Sequence, residues 1–162
     1  QPLCDGCCFA ESCQALARGL VDQLPVKPVK TPKPVRRAIA FVAVNDKGEI
    51  FLHRRPDQGL LGGMLAFPEI GLASKQVDQN LDQTMAPFAA DWVLCDEPVL
   101  HVFTHFALEM KICLASIEGT PQPIAGDIKG HWAKPRPADL PSLMRKIWKA
   151  AAAMPLPLHA SR

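Results

Sequence analysis

Residues 54–69 read RRPDQGLLGGMLAFPE, and this stretch decides how the chain is predicted to fold. Its three glycines, Gly59, Gly62 and Gly63, are typical of a loop in which the backbone turns sharply. The apolar residues 64–67 follow directly and predict a short strand. A glycine-rich loop that leads into a strand therefore lies near the middle of the chain.

The residues around this loop have the pattern of strands. Residues 38–44 form an apolar run typical of a buried strand, and an Asn-Asp-Lys-Gly turn at 45–48 reverses the chain into a second strand at 49–54. Further strands are predicted at residues 92–95, 101–106, 108–117 and 127–133.

Helices are expected to cover the resulting sheet. Residues 141–153 are amphipathic, and one face of this predicted helix carries Leu143, Met144, Ile147, Trp148 and Ala151. Residues 77–90 predict a weaker helix, and residues 12–24 predict a short helical stretch. Mixed strands with a closing helix predict an α+β fold, arranged as an α/β/α sandwich around a mixed β-sheet.

The composition is that of an ordinary globular protein of 162 residues, with 48% hydrophobic and 21% charged residues. A formal net charge of +2 is too small to indicate a partner by itself. No apolar run approaches the length that spans a bilayer, so we expect no membrane partner. Because the chain begins with Gln1 and shows no secretory signal, we expect a piece of a longer cytoplasmic protein.

Four of the 6 cysteines crowd the start of the chain, in the order CDGCCFAESC. Cys4, Cys7 and Cys13 have the C-x2-C-x5-C spacing of a metal site, not that of a secreted disulfide framework. Zinc and iron–sulfur sites normally take four ligands, so we expect a fourth ligand upstream of this chain. A zinc-binding interaction module is the alternative. Cys95 and Cys113 are expected to be small buried hydrophobes.

A basic linker is predicted at residues 25–37, where proline or lysine recurs at every second or third position. Such a segment is extended and semi-rigid. The cations in it that are expected to contact nucleic-acid phosphates are Lys30, Lys33, Arg36 and Arg37. The alternative is a solvated tether whose charges only keep it extended. At the end of a predicted strand, Arg54 and Arg55 are also expected to face solvent or phosphate.

Phe103, Thr104 and His105 form a second candidate site. Aromatic side chains can cover the faces of a nucleic-acid base while a hydroxyl group forms a hydrogen bond with its edge. The alternative is that the aromatic residues belong to the core. The motif on its own therefore leaves both interpretations open.

At Gly63 and Glu69 the chain resembles the signature of the Nudix hydrolases. That signature is a glycine, five residues, a glutamate, seven residues, Arg-Glu, an apolar residue, any residue and Glu-Glu. Here Val77 replaces the arginine and Leu81 replaces one of the paired glutamates. Hard divalent ions need several oxygen ligands, which this stretch lacks. The resemblance implies a Nudix-like fold without magnesium-dependent chemistry; a free-standing Nudix hydrolase of oxidised nucleotides is the alternative.

The cysteine spacing resembles the cluster loop of the adenine DNA glycosylases of the MutY family, which is C-x6-C-x2-C-x5-C. Cys4, Cys7 and Cys13 match its last three cysteines, and Cys8 stands where the family usually has proline. The resemblance implies a 4Fe-4S cluster in a longer protein, with the first cysteine of the pattern before the start of this chain.

Two further motifs resemble the Nudix-like C-terminal domain of the same family. Residues 59–64, GLLGGM, match its Gly-Leu-Leu/Trp-x-Gly-Leu/Met signature. Phe103-Thr104-His105 matches its Phe-Ser/Thr-His loop, in which the hydroxyl residue contacts 8-oxoguanine. The resemblance therefore implies a domain that reads 8-oxoguanine opposite adenine.

The resemblance spans the chain and implies its organisation. It implies a remnant of the cluster loop at 1–24, a linker at 25–37, a Nudix-like recognition domain at 38–155 and a tail at 156–162. The family's catalytic helix-hairpin-helix domain has no counterpart here, so the parent would be an adenine DNA glycosylase and this chain alone inactive, without a catalytic residue. The implied partner is double-stranded DNA with 8-oxoguanine:A mispairs, bound by a monomer at the bacterial nucleoid.

Overall fold

The chain divides into two compact units, Gln1–Pro32 and Lys33–Arg162. The computed structural model describes residues 2–27, 31–72, 83–124 and 128–155. In the smaller unit, the helical stretch predicted at 12–24 is present as one short helix, α1 (Gln14–Ala17), with 3₁₀ turns before and after it.

The larger unit is built on one mixed β-sheet. Its strands are β1 (Val35–Asn45), β2 (Ile50–Arg54), β3 (Leu65–Ala66), β4 (Glu69–Ile70), β5 (Val93–Leu94), β6 (Val99–Val102), β7 (Ala107–Ile117) and β8 (Gly130–Ala133). Their hydrogen-bonded order is β3-β2-β1-β7-β5, with β4 paired to β1, β6 to β7 and β8 to β2. β1 and β7 run parallel along their whole length, with Val35 opposite Ala107, and the other pairs are antiparallel. The predicted mixed sheet is confirmed.

The turn predicted at 45–48 is present and joins β1 to β2. The side-chain oxygen of Asn45 accepts hydrogen bonds from the backbone N–H of Lys47 at 3.0 Å and of Glu49 at 2.8 Å. An asparagine in this role satisfies the backbone of a tight turn with its own side chain. The local sequence is therefore sufficient to reverse the chain at this point.

Successive residues of β1 point to opposite faces of the sheet, as in any strand. On one face packs α2 (Ser142–Ala152), which buries Leu143, Met144, Ile147 and Ala151. The predicted amphipathic helix is thus confirmed, with Trp148 half-buried at the edge of the cluster. In the described part of the chain, neither helix has the length and apolar content to cross a bilayer.

The helix predicted at 77–90 is wrong where the structure describes it. Residues 83–90 hold one 3₁₀ turn, Gln83–Met85, followed by bends, and the rest of that prediction lies outside the described residues. Pro87 lacks an N–H group and disfavours helical backbone in the residue before it, so a helix cannot run on past this point. Phe88 instead packs on the second face of the sheet.

The two isolated cysteines differ in burial. Cys113 is buried, as predicted, because it lies in the centre of β7. Cys95 is only half-buried, which corrects the prediction. It follows directly on β5, a two-residue strand at one edge of the sheet, where neighbours cover it from one side.

Gly130 brings the backbone of β8 closer to β2 than a side chain would permit. A Cβ atom at this position would lie 2.4 Å from the carbonyl oxygen of Leu52 and 2.5 Å from Cζ of Phe51. Since one of these atoms belongs to the backbone, we expect Gly130→Ala to lower the free energy of unfolding by about 2 kcal/mol. Urea unfolding measures this loss. Gly6→Ala is the control, since its Cβ would meet no atom within 4 Å; equal stability of the two variants would contradict the prediction.

Candidate nucleic-acid interface

The predicted Phe-Thr-His motif forms the tip of the hairpin between β6 and β7. The N–H of Phe103 donates a hydrogen bond to the carbonyl oxygen of Phe106 at 2.8 Å, which closes the hairpin. The two residues between them, Thr104 and His105, are exposed. A hydroxyl and an imidazole are thus presented to solvent beside two aromatic rings. We call these four residues, 103–106, the hairpin tip.

Aromatic and cationic groups stack along one side of the hairpin tip. The ring centroids of His101 and Phe103 are 4.7 Å apart, and those of Phe103 and Phe106 are 4.7 Å apart with their planes inclined by 26°. The guanidinium carbon of Arg36 lies 3.9 Å from the centroid of Phe106. Four flat groups therefore follow one another, with the His101 ring inclined by 60° to that of Phe103, and we call this series the ring stack.

The structure brings Lys33 to the hairpin tip and directs Arg37 elsewhere. The ammonium group of Lys33 donates to the carbonyl oxygen of Phe103 at 2.6 Å. Arg37 forms an ion pair with Glu109 at 3.0 Å, on the opposite face of the sheet from Arg36. Lys30 lies outside the described residues.

The position of β1 explains why these cations reach the tip. The strand begins at Val35, three residues before the predicted start at residue 38, because it continues to pair with the beginning of β7. Within the described residues, Arg36 has no hydrogen-bond or ion-pair partner; its guanidinium contacts only the ring of Phe106. Its N–H groups are therefore available to an anion such as a phosphate group.

His101 forms the end of the ring stack opposite to Arg36. Desolvation lowers the pKa of its imidazole, and the positive charge of Lys146 lowers that pKa further. Lys146 itself donates to the carbonyl oxygen of Leu100 at 3.1 Å. Among the described residues, Nδ1 of His101 is buried without a hydrogen-bond partner. These surroundings favour a neutral imidazole, which contacts the ring of Phe103 at an angle.

The glycine-rich loop encloses a buried arginine. The side chain of Arg55 donates to the carbonyl oxygen of Leu60 at 3.0 Å and forms an ion pair with Glu69. Only 7% of the Arg55 side chain and 9% of the Glu69 side chain are exposed. Arg54 is exposed as predicted, but Arg55 is not, which corrects the prediction for this residue.

Glu69 is the glutamate of the Nudix-like spacing, and both of its carboxylate oxygens are bonded within this loop. One carboxylate oxygen pairs with Arg55, and the other accepts from the backbone N–H of Leu72 at 3.2 Å. The remaining signature positions, residues 77–82, lie outside the described part of the chain. As placed here, the Glu69 carboxylate stabilises the loop and is not directed to solvent.

The N-terminal cysteines do not form a ready ligand set. Cys7 and Cys8 are exposed, Cys4 and Cys13 are half-buried, and all four are free thiols. Among the described residues, no group of three or more His, Cys, Asp or Glu side chains lies close enough together to hold a metal ion. The cluster assignment of Cys4, Cys7 and Cys13 therefore stays a prediction.

Three functional features were missed by the sequence reasoning. These are the stacking of Arg36 on Phe106, the place of His101 in the stack, and the burial of Arg55 against Glu69. The first two depend on the pairing of distant strands, which leaves no local pattern. A signal for the third was present, since an arginine and a glutamate on either side of a glycine-rich loop can pair across it.

Comparisons with known proteins agree with this architecture. A family model described as the NUDIX domain matches residues 27–150. The C-terminal domain of mouse MUTYH, from its complex with human PCNA, is similar with a TM-score of 0.50 and 16% identity, over 70% of this chain and 85% of that chain. A MutT protein from Methanosarcina mazei Go1 is similar with a TM-score of 0.50 and 13% identity, over 76% of this chain and 96% of that chain. At these identities the two structures show a shared fold. The family model matches most of the length of the chain, and the mixed sheet agrees with it, so the chain belongs to the NUDIX domain family.

Proposed function

We propose that the larger unit is the lesion-reading domain of an adenine DNA glycosylase, and that its hairpin tip recognises 8-oxoguanine opposite adenine. The observation that carries this proposal is the exposure of Thr104 at a tip against which Lys33 and Arg36 are held. A hydroxyl group, aromatic rings and unpaired positive charge are the groups that read a base edge and hold a phosphate. The similarity to the MUTYH C-terminal domain supports the same proposal.

The chemistry of the lesion suits a hydroxyl reader. At N7, guanine has only an acceptor, whereas 8-oxoguanine has an N–H donor beside a carbonyl oxygen at C8. A threonine hydroxyl both donates and accepts, so Thr104 oriented to accept at N7 favours the lesion. One good contact of this kind is worth about 1–3 kcal/mol of discrimination.

Excision of adenine belongs to another domain in this proposal. A glycosylase must take its target base out of the helix, and a reader of the opposite base leaves that pocket free. No residue of this chain is assigned to the cleavage step. A 4Fe-4S cluster at Cys4, Cys7 and Cys13 stays part of the proposal for the longer protein, with a fourth thiolate supplied upstream.

Binding of the 162-residue chain to two duplexes that differ only in the lesion tests the proposal. We expect the 8-oxoguanine:A duplex to bind about tenfold more tightly than the G:A duplex, as measured by fluorescence anisotropy. Equal affinity for the two duplexes would rule out lesion reading. A parallel incubation with 8-oxo-dGTP and magnesium examines the alternative: release of pyrophosphate would assign the chain to the nucleotide hydrolases instead.

The two neighbouring arginines of β1 provide a matched test of the phosphate contact. Among the described residues, Arg36 has no ion-pair partner, whereas Arg37 is paired with Glu109 on the other face. We expect Arg36→Ala to weaken binding of both duplexes and to reduce the slope of log affinity against log salt by about one. Arg37→Ala removes the same charge and should have the smaller effect. If Arg37→Ala has the larger effect, DNA lies on the other face of the sheet.

A further inference from the structure

The hairpin tip is not closed by one of the tight turns that usually join two strands over two residues. Two-residue hairpin loops usually form type I′ or II′ turns, which need a positive φ and therefore favour glycine or asparagine. Thr104 and His105 are neither, and in the described part of the chain Leu61 is the one residue other than glycine with a positive φ. The tip therefore lacks the regular turn that would hold a hairpin loop in shape by itself. Its conformation must depend on contacts with the rest of the domain.

Two sets of contacts provide that support. The backbone of the tip is fixed by the hydrogen bond from Phe103 to Phe106 and by the one from Lys33 to Phe103. The side chains are fixed by the ring stack, which runs from His101 on β6 to Arg36 on β1. Thr104 and His105 themselves have no hydrogen bond to other described residues.

Phe106, in the middle of the ring stack, anchors the tip to the core. Phe106 is buried, with 6% of its surface exposed, and it belongs to the same cluster as α2. Arg36 covers the ring of Phe106 at the place where β1 begins. The ring of Phe103 also stacks on Phe106, with centroids 4.7 Å apart, so the buried ring contacts both Arg36 and the first residue of the tip. The direction of the Thr104 hydroxyl follows from the backbone that these rings hold.

We propose that Arg36 and Phe106 are positioning residues for lesion recognition, because they hold the hairpin tip in the one conformation that presents Thr104 to the base. This inference rests on the proposed function. It assigns part of the selectivity for 8-oxoguanine to two residues that need not touch the lesion. It also gives Arg36 a role that its charge alone does not fulfil, since a planar guanidinium stacks on a ring more completely than an ammonium group does.

Arg36→Lys separates the two roles of the residue. The variant keeps the positive charge and loses the planar stack. We expect selectivity for the 8-oxoguanine:A duplex over the G:A duplex to fall about threefold, while the salt dependence of binding stays unchanged. Phe106→Leu, which removes a ring from the middle of the stack, should lower selectivity about fivefold. Arg136→Lys is the matched control, since Arg136 is an exposed arginine paired with Asp139.

Hydrogen exchange of the Phe103 amide gives a second readout that needs no DNA. This N–H is bonded across the tip, so its exchange rate reports how often the tip opens. We expect exchange about threefold faster in Arg36→Lys and about fivefold faster in Phe106→Leu, with no change in Arg136→Lys. Thermal unfolding of each variant shows whether the domain remains folded. If Phe106→Leu unfolds, Arg36→Lys still tests the proposal, because Arg36 lies near the start of β1 and outside the buried core.

The outcomes separate this inference from the proposed function. If the wild-type chain binds both duplexes equally, the proposed function fails, and positioning for lesion recognition fails with it. If the wild-type chain is selective and Arg36→Lys retains both its selectivity and its slow exchange, the positioning role is overturned while lesion reading stands. Reduced selectivity together with faster exchange supports the positioning role.

Discussion

Replacement of Glu69 by alanine is expected to lower the free energy of unfolding by about 3 kcal/mol. The guanidinium of Arg55 is 7% exposed and the Glu69 side chain 9% exposed, so each charge depends on the other for compensation. Removing one partner leaves an unpaired charge inside the protein. The backbone N–H of Leu72 also loses its acceptor. Urea unfolding of the two proteins at neutral pH measures the difference.

Two variants make this prediction specific. The double variant Arg55→Met/Glu69→Leu removes both charges together, and we expect it to recover most of the lost stability. Glu109→Ala breaks the exposed pair with Arg37, where side-chain exposures of 49% and 36% leave both charges in water, and should change stability little. If Glu69→Ala is as stable as the wild type, the carboxylate is not structural. Stabilisation of the wild type by magnesium would then indicate a metal ligand instead.

Replacement of Thr104 by valine is expected to reduce selectivity for 8-oxoguanine:A over G:A about tenfold. Valine has the shape of threonine without the hydroxyl, so the hydrogen bond to N7–H is lost while the hairpin keeps its volume. Binding of the G:A duplex should stay nearly constant, because Lys33 and Arg36 supply the contacts with phosphate. Anisotropy titrations of both duplexes with the wild type and with Thr104→Val give the ratio of the two affinities for each protein.

Thr104→Ser is the matched control for this prediction. Serine keeps the hydroxyl, and the residue is exposed, so loss of the methyl group costs little packing. We expect selectivity close to that of the wild type. An equal loss on both duplexes in Thr104→Val would show that the side chain supports the hairpin and does not read the base.

Short-range sequence patterns predict the parts of the fold that depend on residues close together in the chain. The alternation in β7, the Asn45 turn and the apolar face of α2 are each visible within about a dozen residues, and each is confirmed. The helix at 77–90 failed over its described part because Pro87 outweighs the periodicity of its neighbours. Periodicity reports which face is apolar, and it does not report whether the backbone can hydrogen-bond.

The candidate site was predictable in its residues and not in its assembly. The resemblance predicts Thr104 and its neighbours as a base-reading motif, and the basic linker predicts Lys33 and Arg36 as cations near DNA. Their meeting depends on the parallel pairing of β1 with β7, which places Val35 opposite Ala107. Such pairing joins residues some seventy positions apart, and no short-range pattern encodes it. Arg36 and Arg37 are adjacent in sequence, but their side chains lie on opposite faces of β1 and therefore contact different residues of β7 and the hairpin tip.

Lesion reading by this domain requires contact between the hairpin tip and the damaged base. Nuclear magnetic resonance of the isotope-labelled chain, titrated with the 8-oxoguanine:A duplex, tests this contact most directly. We predict the largest shift changes at Thr104 and His105, smaller changes at Thr104 with the G:A duplex, and little change at Glu69. Resonances of Thr104 that do not move at saturation, while those around Glu69 do, would contradict the account.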